Sequence, residues 1–291
     1  MKTKFLSLVI LGFAVTVAKA QTYGTWKGSK EAVSWNYDLG TGTGSGKKFN
    51  AGSEVKIAEA SKEKPGFLPF PPTGTARVVV APSAGAGFSV NKSVINFGAS
   101  NAEAPNKFSI TDIPQSSPVG SLFFTLSFND GTKGTAVLAF GNSQTSLFNN
   151  AAAYNNRKQE GIFGAIRFIV GSTFTNPEHR TASGSSYVHK PYDTDIFDKS
   201  GDLKVEIYSN NSKEEQSFTR KGNVYNIPAQ TFKIFVNDKA LKLNGSENLP
   251  ATGELDQNMA IDAFMLSGSN STENTLNFSI SNIKAGTLTR N

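Results

Sequence analysis

Apolar residues recur at every second position along several short segments, and this period most constrains what the chain can fold into. In "SLFFTLSFNDG", the alternating set begins at Leu122 and ends at Phe128, and "NDG" then supplies a turn. The same period recurs at Val205 and Ile207, at Phe232, Ile234 and Val236, and at Leu276, Phe278 and Ile280. Because successive side chains of a strand point to opposite faces, each segment predicts a strand with one face buried against a second layer.

Other segments complete an all-β pattern. "KFSITDI" is a further strand, and "TAVLAFGN" and "GIFGAIRFIVG" are apolar on both faces, as central strands are. Only "NAAAYNNRKQEG" and "SEVKIAEASKEK" are candidates for short helices. Short strands at close turn spacing predict an antiparallel two-sheet β-sandwich with few short helices.

A proline-rich loop precedes one of these strands, in "PGFLPFPPTGTARVVV". Its prolines remove backbone donors and favour an extended path before the strand "TARVVV". We expect Phe67, Leu68 and Phe70 to cap the open end of the sandwich. The alternative is an aromatic ligand platform on a pre-ordered loop.

The first twenty residues have the pattern of a secretory signal peptide. "MKTK" is positively charged, "FLSLVILGFAVTV" is apolar but short for a membrane span, and "AKA" offers small residues for cleavage near Ala20. We therefore predict a mature chain that starts at Gln21, is secreted or periplasmic, and has no membrane span.

Composition favours one large domain without covalent cross-links. There are no cysteines, so disulfides and thiolate metal sites are excluded. The 22 phenylalanines supply apolar area for a core, which a chain of about 270 residues can bury. We predict a single domain over residues 21–291, with residues 21–63 forming an N-terminal strand and a Gly-rich loop joined to it.

The charge balance gives no reason to expect a nucleic-acid partner. Removing residues 1–20 removes three lysines and no acid, so the formal net charge falls from +6 to +3. No Lys/Arg cluster accompanies this small charge.

From about Lys64 onward the chain resembles secreted Bacteroidetes domains of the laminin-G-like, or concanavalin A-like, jelly-roll family. The resemblance rests on "PFPPTGTARVVV", "GSLFFTLSFNDGTKGTAVLAFGN", "LKVEIYSNN" with "GNVYNIPAQTFKIFVNDKAL", and "AIDAFMLSGSNSTENTLNFSISNI". It implies a jelly-roll sandwich. It also implies a carbohydrate ligand, since proteins of this architecture commonly bind glycans and some cleave them.

Two polar sets are candidates for glycan cleavage. Glu254 and Asp256 in "GELDQN" are the nearest approach to the paired carboxylates of a glycoside hydrolase. His189 and Tyr192 in "SYVHKPY" are the candidate acid and base of a lyase, with Arg167 as the partner for a substrate carboxylate. No Gly-x-Ser-x-Gly elbow supports a serine hydrolase, and two histidines without cysteine supply a zinc site poorly.

Calcium is the one metal that the sequence favours. "YDTDIFDKSGD" places Asp193, Asp195, Asp198 and Asp202 in one turn-rich stretch, and hard cations prefer oxygen ligands. The spacing differs from that of an EF-hand loop, and a solvated acidic turn is the alternative. We therefore expect no required cofactor.

Two segments combine aromatic rings with amides and cations, which is the chemistry of a sugar-binding surface. We predict ligand contacts from both, and interpret both as loops flanking the strand at residues 161–171: Tyr154, Asn156, Arg157, Tyr187, His189 and Tyr192. The sequence thus favours a polysaccharide- or cell-surface-glycan-binding protein without catalysis. A polysaccharide-degrading enzyme and a cell-surface adhesion module are the alternatives.

Overall fold

A computed structural model describes thirteen segments of the chain: 23–37, 54–56, 73–79, 87–91, 93–99, 106–129, 132–144, 146–149, 159–183, 186–193, 196–199, 201–269 and 276–288. These segments contain twenty strands and one helix. No helix in them is long and apolar enough to span a bilayer.

The strands follow one another along the chain as β1 (Thr25–Trp26), β2 (Trp35–Tyr37), β3 (Glu54–Lys56), β4 (Thr75–Val79), β5 (Gly87–Asn91), β6 (Val94–Ala99), β7 (Asn106–Thr111), β8 (Val119–Phe128), β9 (Gly134–Gly141), β10 (Ile162–Val170), β11 (Thr175–Ser183), β12 (Ser186–Pro191), β13 (Leu203–Asn210), β14 (Gln216–Arg220), β15 (Asn223–Ile227), β16 (Thr231–Val236), β17 (Lys239–Ala240), β18 (Leu249–Pro250), β19 (Ala263–Ser269) and β20 (Leu276–Thr287). The helix α1 (Ser146–Asn149) lies between β9 and β10.

Two large antiparallel sheets form the sandwich. The front sheet has eight strands in the order β12-β11-β10-β9-β19-β7-β4-β3. The back sheet follows the order β17-β16-β13-β8-β20-β6-β5, and β2 and β18 add to it by pairing with β20 and β16. A third sheet, β1-β14-β15, is much smaller.

The core between the two large sheets is built from the alternating positions that the sequence predicts. Leu122, Phe124, Leu126 and Phe128 of β8 all belong to it, whereas Phe123 faces the opposite side. The predicted inward residues of β13, β16 and β20 lie in the same cluster. Fully burying one such side chain contributes roughly 1.5–3 kcal/mol, so this face fixes the register of every strand.

The connections give the sandwich a jelly-roll arrangement. Consecutive strands β6, β7, β8 and β9 alternate between the back and front sheets, and β19 and β20 do so again. β19 inserts between β7 and β9, and β20 inserts between β6 and β8. The predicted fold class, an all-β antiparallel two-sheet sandwich with few short helices, is confirmed.

Local predictions had mixed outcomes. The strand "TARVVV" is confirmed as β4, and "AVSWNYDL" contains β2. The helix predicted for "SEVKIAEASKEK" is wrong at its start, because Glu54–Lys56 pairs with β4 as a strand. Residues 65–72 of the proline-rich loop and residues 150–158 of the other helix candidate lie outside the described residues.

Candidate functional site

The outward side of the front sheet is covered in its middle by its own chain. Leu147 and Phe148 of α1 pack there in an apolar cluster with side chains from β9, β10 and β19. Two polar side chains of β7 hold the helix backbone: Lys107 Nζ donates to the Leu147 carbonyl at 2.7 Å, and Ser109 Oγ donates to the Phe148 carbonyl at 2.8 Å. This part of the sheet is sealed.

At the end of the sheet formed by β10, β11 and β12, the outward side is polar. His179 of β11 faces inward, where its ring lies 5.9 Å from the ring of Phe232. Its neighbours Glu178 and Arg180 therefore face outward, since side chains alternate along a strand. We call this surface the hairpin face and define it by Arg167, Asn176, Glu178, Arg180 and His189; Asn176 is exposed, Arg167, Glu178 and His189 are half-buried, and Arg180 is only 1% exposed.

Strand register brings these residues together. Arg167 pairs with Glu178 across β10 and β11, and Arg180 pairs with His189 across β11 and β12. The Arg167 guanidinium contacts Glu178 Oε2 through Nε at 2.7 Å and Nη2 at 2.5 Å. Directly opposed residues on one side of a sheet are close neighbours, so two guanidinium groups, a carboxylate and an imidazole form one cluster.

The charges in this cluster keep the imidazole neutral. Burial chiefly, together with the positive charges of Arg167 and Arg180, lowers the pKa of His189 to about 4, and Glu178 opposes this shift. Its Nε2 is buried and has no hydrogen-bond partner among the described residues. A neutral imidazole offers one donor and one acceptor nitrogen, which suits a sugar hydroxyl.

The predicted ligand residues are only partly brought together here. Arg167 and His189 lie on the hairpin face, as the sequence suggested for a shared polar site. Tyr187 of β12 pairs with Ala182 of β11 and precedes His189 by two positions along β12. The interpretation of this segment as a loop is wrong, because most of it forms the strands β11 and β12.

Tyr192 lies away from the hairpin face. Its hydroxyl is 3.0 Å from His179 Nδ1, and its ring packs against the core between the sheets. Burial raises the pKa of Tyr192 well above its ordinary value. The structure therefore separates the two members of the predicted lyase pair, His189 and Tyr192. Tyr154, Asn156 and Arg157 lie outside the described residues.

Sequence reasoning missed Glu178 and Phe174. Glu178 matters because it pairs with Arg167, a contact that follows only from the register of β10 and β11. Phe174 is 54% exposed at the tip of the β10–β11 hairpin, beside the partly exposed Ile169. The available signal was an aromatic residue placed among small polar residues in "GSTFTN".

A second opening contains the predicted carboxylate pair. Glu254 and Asp256 line a cleft of about 410 Å³ together with Glu160, Asn142 and Gln144. The Glu254 segment is fixed against β10, because the Gly161 N–H donates to the Glu254 carbonyl at 2.6 Å and the Thr252 N–H donates to the Phe163 carbonyl at 2.8 Å. Glu254 is buried and Asp256 is exposed.

The acidic turn does not form a recognisable calcium site in the part of the chain that the structure covers. Asp193 Oδ2 accepts the Gly245 N–H at 2.5 Å, and Asp198 is exposed. Asp195 lies outside the described residues. No group of three or more metal-ligating His, Asp or Glu side chains occurs among the residues described.

Solved structures with a similar fold are distant in sequence. A sialidase is 11% identical over 82% of this chain, with a TM-score of 0.45, and this chain spans only 19% of the sialidase. An alginate lyase from Chlorella virus is 10% identical over 82% of this chain and 100% of its own, with a TM-score of 0.40. A legume lectin-like domain from Entamoeba histolytica is 9% identical over 70% of this chain and 88% of its own, with a TM-score of 0.42.

No protein-family model matches the chain, and no curated protein matches it. Likenesses as distant as those three structures assign neither a ligand nor a reaction to this chain.

Proposed function

We propose that this chain is an exported carbohydrate-binding protein that holds an acidic glycan on the hairpin face without cleaving it. The observation that carries the proposal is the cross-strand pairing of Arg180 with His189 beside the Arg167–Glu178 ion pair. Four polar groups of complementary type thus share one side of a rigid sheet.

The chemistry of the cluster matches a sugar carboxylate and its neighbouring hydroxyls. A guanidinium can hold a carboxylate through two parallel hydrogen bonds, and the Glu178 carboxylate accepts bonds from hydroxyls. At His189 the positive charges of Arg167 and the buried Arg180 act against the single negative charge of Glu178, and this supports an anionic ligand over a neutral one.

The test is binding of the purified protein to a polyuronate and to the same polymer after its carboxylates are reduced to alcohols. We expect tighter binding to the polyuronate and an approximately tenfold loss for Arg167→Ala and for His189→Ala. Lys239→Ala is the matched control, because Lys239 is an exposed cation on β17 of the back sheet and does not belong to the hairpin face. Equal binding of both polymers, or full binding by both site variants, would refute the proposal.

The cleft at Glu254 supports a second candidate function, glycoside hydrolysis. Two carboxylates that share an opening are what an acid and a nucleophile or base require. Incubation with polysaccharides followed by a reducing-end assay tests this directly. New reducing ends from the parent protein, lost in Glu254→Gln and in Asp256→Asn, would establish catalysis and replace the binding-only proposal.

The export part of the proposal is supported by the charged, apolar and small-residue pattern of residues 1–20. Expression in a bacterial host followed by N-terminal sequencing of the exported protein tests it, and we expect a chain that starts at Gln21. A retained Met1 in a cytoplasmic product would contradict it.

A further inference from the structure

The tip of the β10–β11 hairpin presents an aromatic ring to solvent. The Gly171 N–H donates to the Phe174 carbonyl at 2.9 Å, and Val170 pairs with Thr175 directly below the turn. Phe174 is 54% exposed. A single exposed apolar residue is ordinary on a protein surface, so the exposure alone indicates nothing. Two further features of the tip distinguish it.

The first feature is a buried ammonium group that holds the turn. Lys199 Nζ donates to the carbonyl oxygens of Gly171 and Thr132, both at 3.0 Å, and of Ser172 at 3.1 Å. Lys199 is only 8% exposed, and Phe197, two residues before it, packs edge-on against Phe168 with ring centroids 4.9 Å apart. Two charge-assisted hydrogen bonds to the turn, at Gly171 and Ser172, and a third to Thr132 before β9 tie the turn to its neighbours and make it rigid.

The second feature is the position of the ring. A Cβ atom on Gly171 would lie 2.6 Å from a ring carbon of Phe174, so the ring lies directly over this glycine. Gly171 follows Ile169 by two positions, so the ring lies on the outward side, the same side as the hairpin face. From there Asn176, Glu178 and Arg180 follow along β11 at every second residue.

We propose that Phe174 is a stacking platform at the far end of the hairpin face and that Lys199 is the positioning residue that fixes it. The apolar C–H face of a sugar ring packs on an aromatic face, as apolar surfaces do in ligand sites generally. Phe174 and the partly exposed Glu178 are four residues apart on an extended strand, roughly 13 Å. This inference rests on the proposed function and deepens it: the ligand is an acidic oligosaccharide several sugars long that runs along β11.

The test is the affinity of the full chain for a size series of acidic oligosaccharides, measured by calorimetry. We expect the affinity of the parent protein to rise with length until the oligosaccharide reaches the tip. Phe174→Ala should lower the affinity for long oligosaccharides about tenfold, as loss of one stacked ring does, and leave short ones unchanged. Phe174→Trp should restore long-chain binding.

Lys199→Met separates positioning from general stability. We expect the same selective loss for long oligosaccharides, with unchanged binding of short ones, and little further loss when Phe174→Ala is added. Val224→Ala is the matched control, because Val224 is a 69% exposed apolar residue on β15, far along the chain from the hairpin. It should bind every length as the parent does.

The outcomes separate this inference from the function it rests on. If His189→Ala weakens binding of all lengths while Phe174→Ala and Lys199→Met weaken none, the platform is refuted and the proposed function stands. If the parent protein binds no acidic oligosaccharide, both are refuted. If Lys199→Met weakens short and long oligosaccharides equally, Lys199 acts on stability and its positioning role is refuted.

Discussion

A glutamate on the outward side of each large sheet pairs with an arginine, but the two pairs have opposite surroundings. Arg220 of the third sheet donates to both oxygens of Glu206 on the back sheet, from Nη2 at 2.8 Å and from Nε at 2.9 Å, and the pair is buried between the two sheets with side chains 4% and 3% exposed. On the front sheet, both contacts of Arg167 reach one oxygen of Glu178, and the side chains are 26% and 14% exposed.

The difference lies in what covers each pair. Trp26, Phe218 and Ile227 of the third sheet pack over the back sheet, and the Tyr208 hydroxyl donates to Glu206 at 2.6 Å while accepting the Gly24 N–H at 2.8 Å. The Tyr208 hydroxyl and both Glu206 oxygens thus have protein partners. On the hairpin face, Arg167 and Glu178 keep side chains that are 26% and 14% exposed, so this ion pair remains accessible to a ligand, whereas Arg180 is only 1% exposed. The same residue types thus stabilise the fold on one face and remain available on the other.

The largest expected effect is the loss of stability when the buried Arg220–Glu206 pair is broken. Glu206→Ala leaves the Arg220 guanidinium buried with only its contact to Asp238 at 2.6 Å, so we expect a loss of about 3–5 kcal/mol in the free energy of unfolding. Urea denaturation measures it. Glu178→Ala is the matched variant on the open face and should cost about 1 kcal/mol or less. Equal losses in the free energy of unfolding for Glu206→Ala and Glu178→Ala would contradict the conclusion that only the Arg220–Glu206 pair stabilises the fold.

The next effect compares the two histidines as the pH falls. Burial chiefly, with the charge of Lys190, lowers the pKa of His179 to about 4, whereas an unfolded histidine titrates near 6.5. Between these values the unfolded chain binds more protons than the folded one. Stability is therefore full above pH 6.5 and is lost as the pH falls to 4, by about 3 kcal/mol.

His179→Gln should flatten this part of the stability curve, measured by urea denaturation across the pH range. His189→Gln should remove a smaller part, because solvent screens the partly exposed ring on the hairpin face. A His179→Gln curve that still falls between pH 6.5 and 4 as steeply as the parent curve would contradict the assignment.

A smaller loss of stability is expected when the Tyr208 hydroxyl, buried between the back sheet and the third sheet, is removed. Tyr208→Phe removes a hydroxyl that both donates to Glu206 and accepts from Gly24, and we expect a cost of about 1–3 kcal/mol. Tyr225→Phe, on β15 of the same small sheet, should change stability by about 0.5 kcal/mol or less. If both variants unfold at the same urea concentration as the parent, the Tyr208 hydroxyl does not stabilise the packing of the third sheet on the back sheet.

The smallest effect concerns the open face alone. Glu178 raises the pKa of His189 while Arg167 and Arg180 lower it, so Glu178→Gln should lower that pKa and Arg167→Ala should raise it. Titration of the His189 ring followed by NMR measures both shifts. Shifts in the reverse direction would show that the four groups do not form one cluster.

The parts of the fold that the sequence predicted are those where burial leaves a local period. Phe124 and Leu126 of β8 or Ile234 and Val236 of β16 alternate because one side of each strand meets the core. The segment "TNPEHRTAS" shows no such period, because β11 has polar residues outward and His179 inward. Its strand character comes from pairing on both sides, which is a property of the sheet and not of the segment.

In the candidate sites, likewise, some residues are predicted from their type, whereas their grouping depends on the folded chain. His189 and Arg167 were predicted from residue type, but their grouping with Glu178 and Arg180 depends on two registers that no local pattern encodes. The buried polar contacts between the back sheet and the third sheet were not predicted, because the hydrogen bond from Gly24 to the Tyr208 hydroxyl joins residues 184 positions apart in sequence. The placement of Glu254 and Asp256 in one cleft with Glu160 likewise needed the folded chain.

The pairing of β2 with β20 determines when folding of the back sheet can be completed. Trp35 lies opposite Ala285, so one of the first ordered strands is hydrogen-bonded to the last. Trp35 and Ala285 are 285 − 35 = 250 positions apart, and contacts between residues so far apart in sequence form slowly. The buried Trp35 must therefore wait unpaired until β20 has been synthesised, and Trp26 of β1 until its partner Phe218 of β14 has been synthesised. A chaperone that shields residues 23–37 during this interval would raise the folding yield more than one acting on any hairpin.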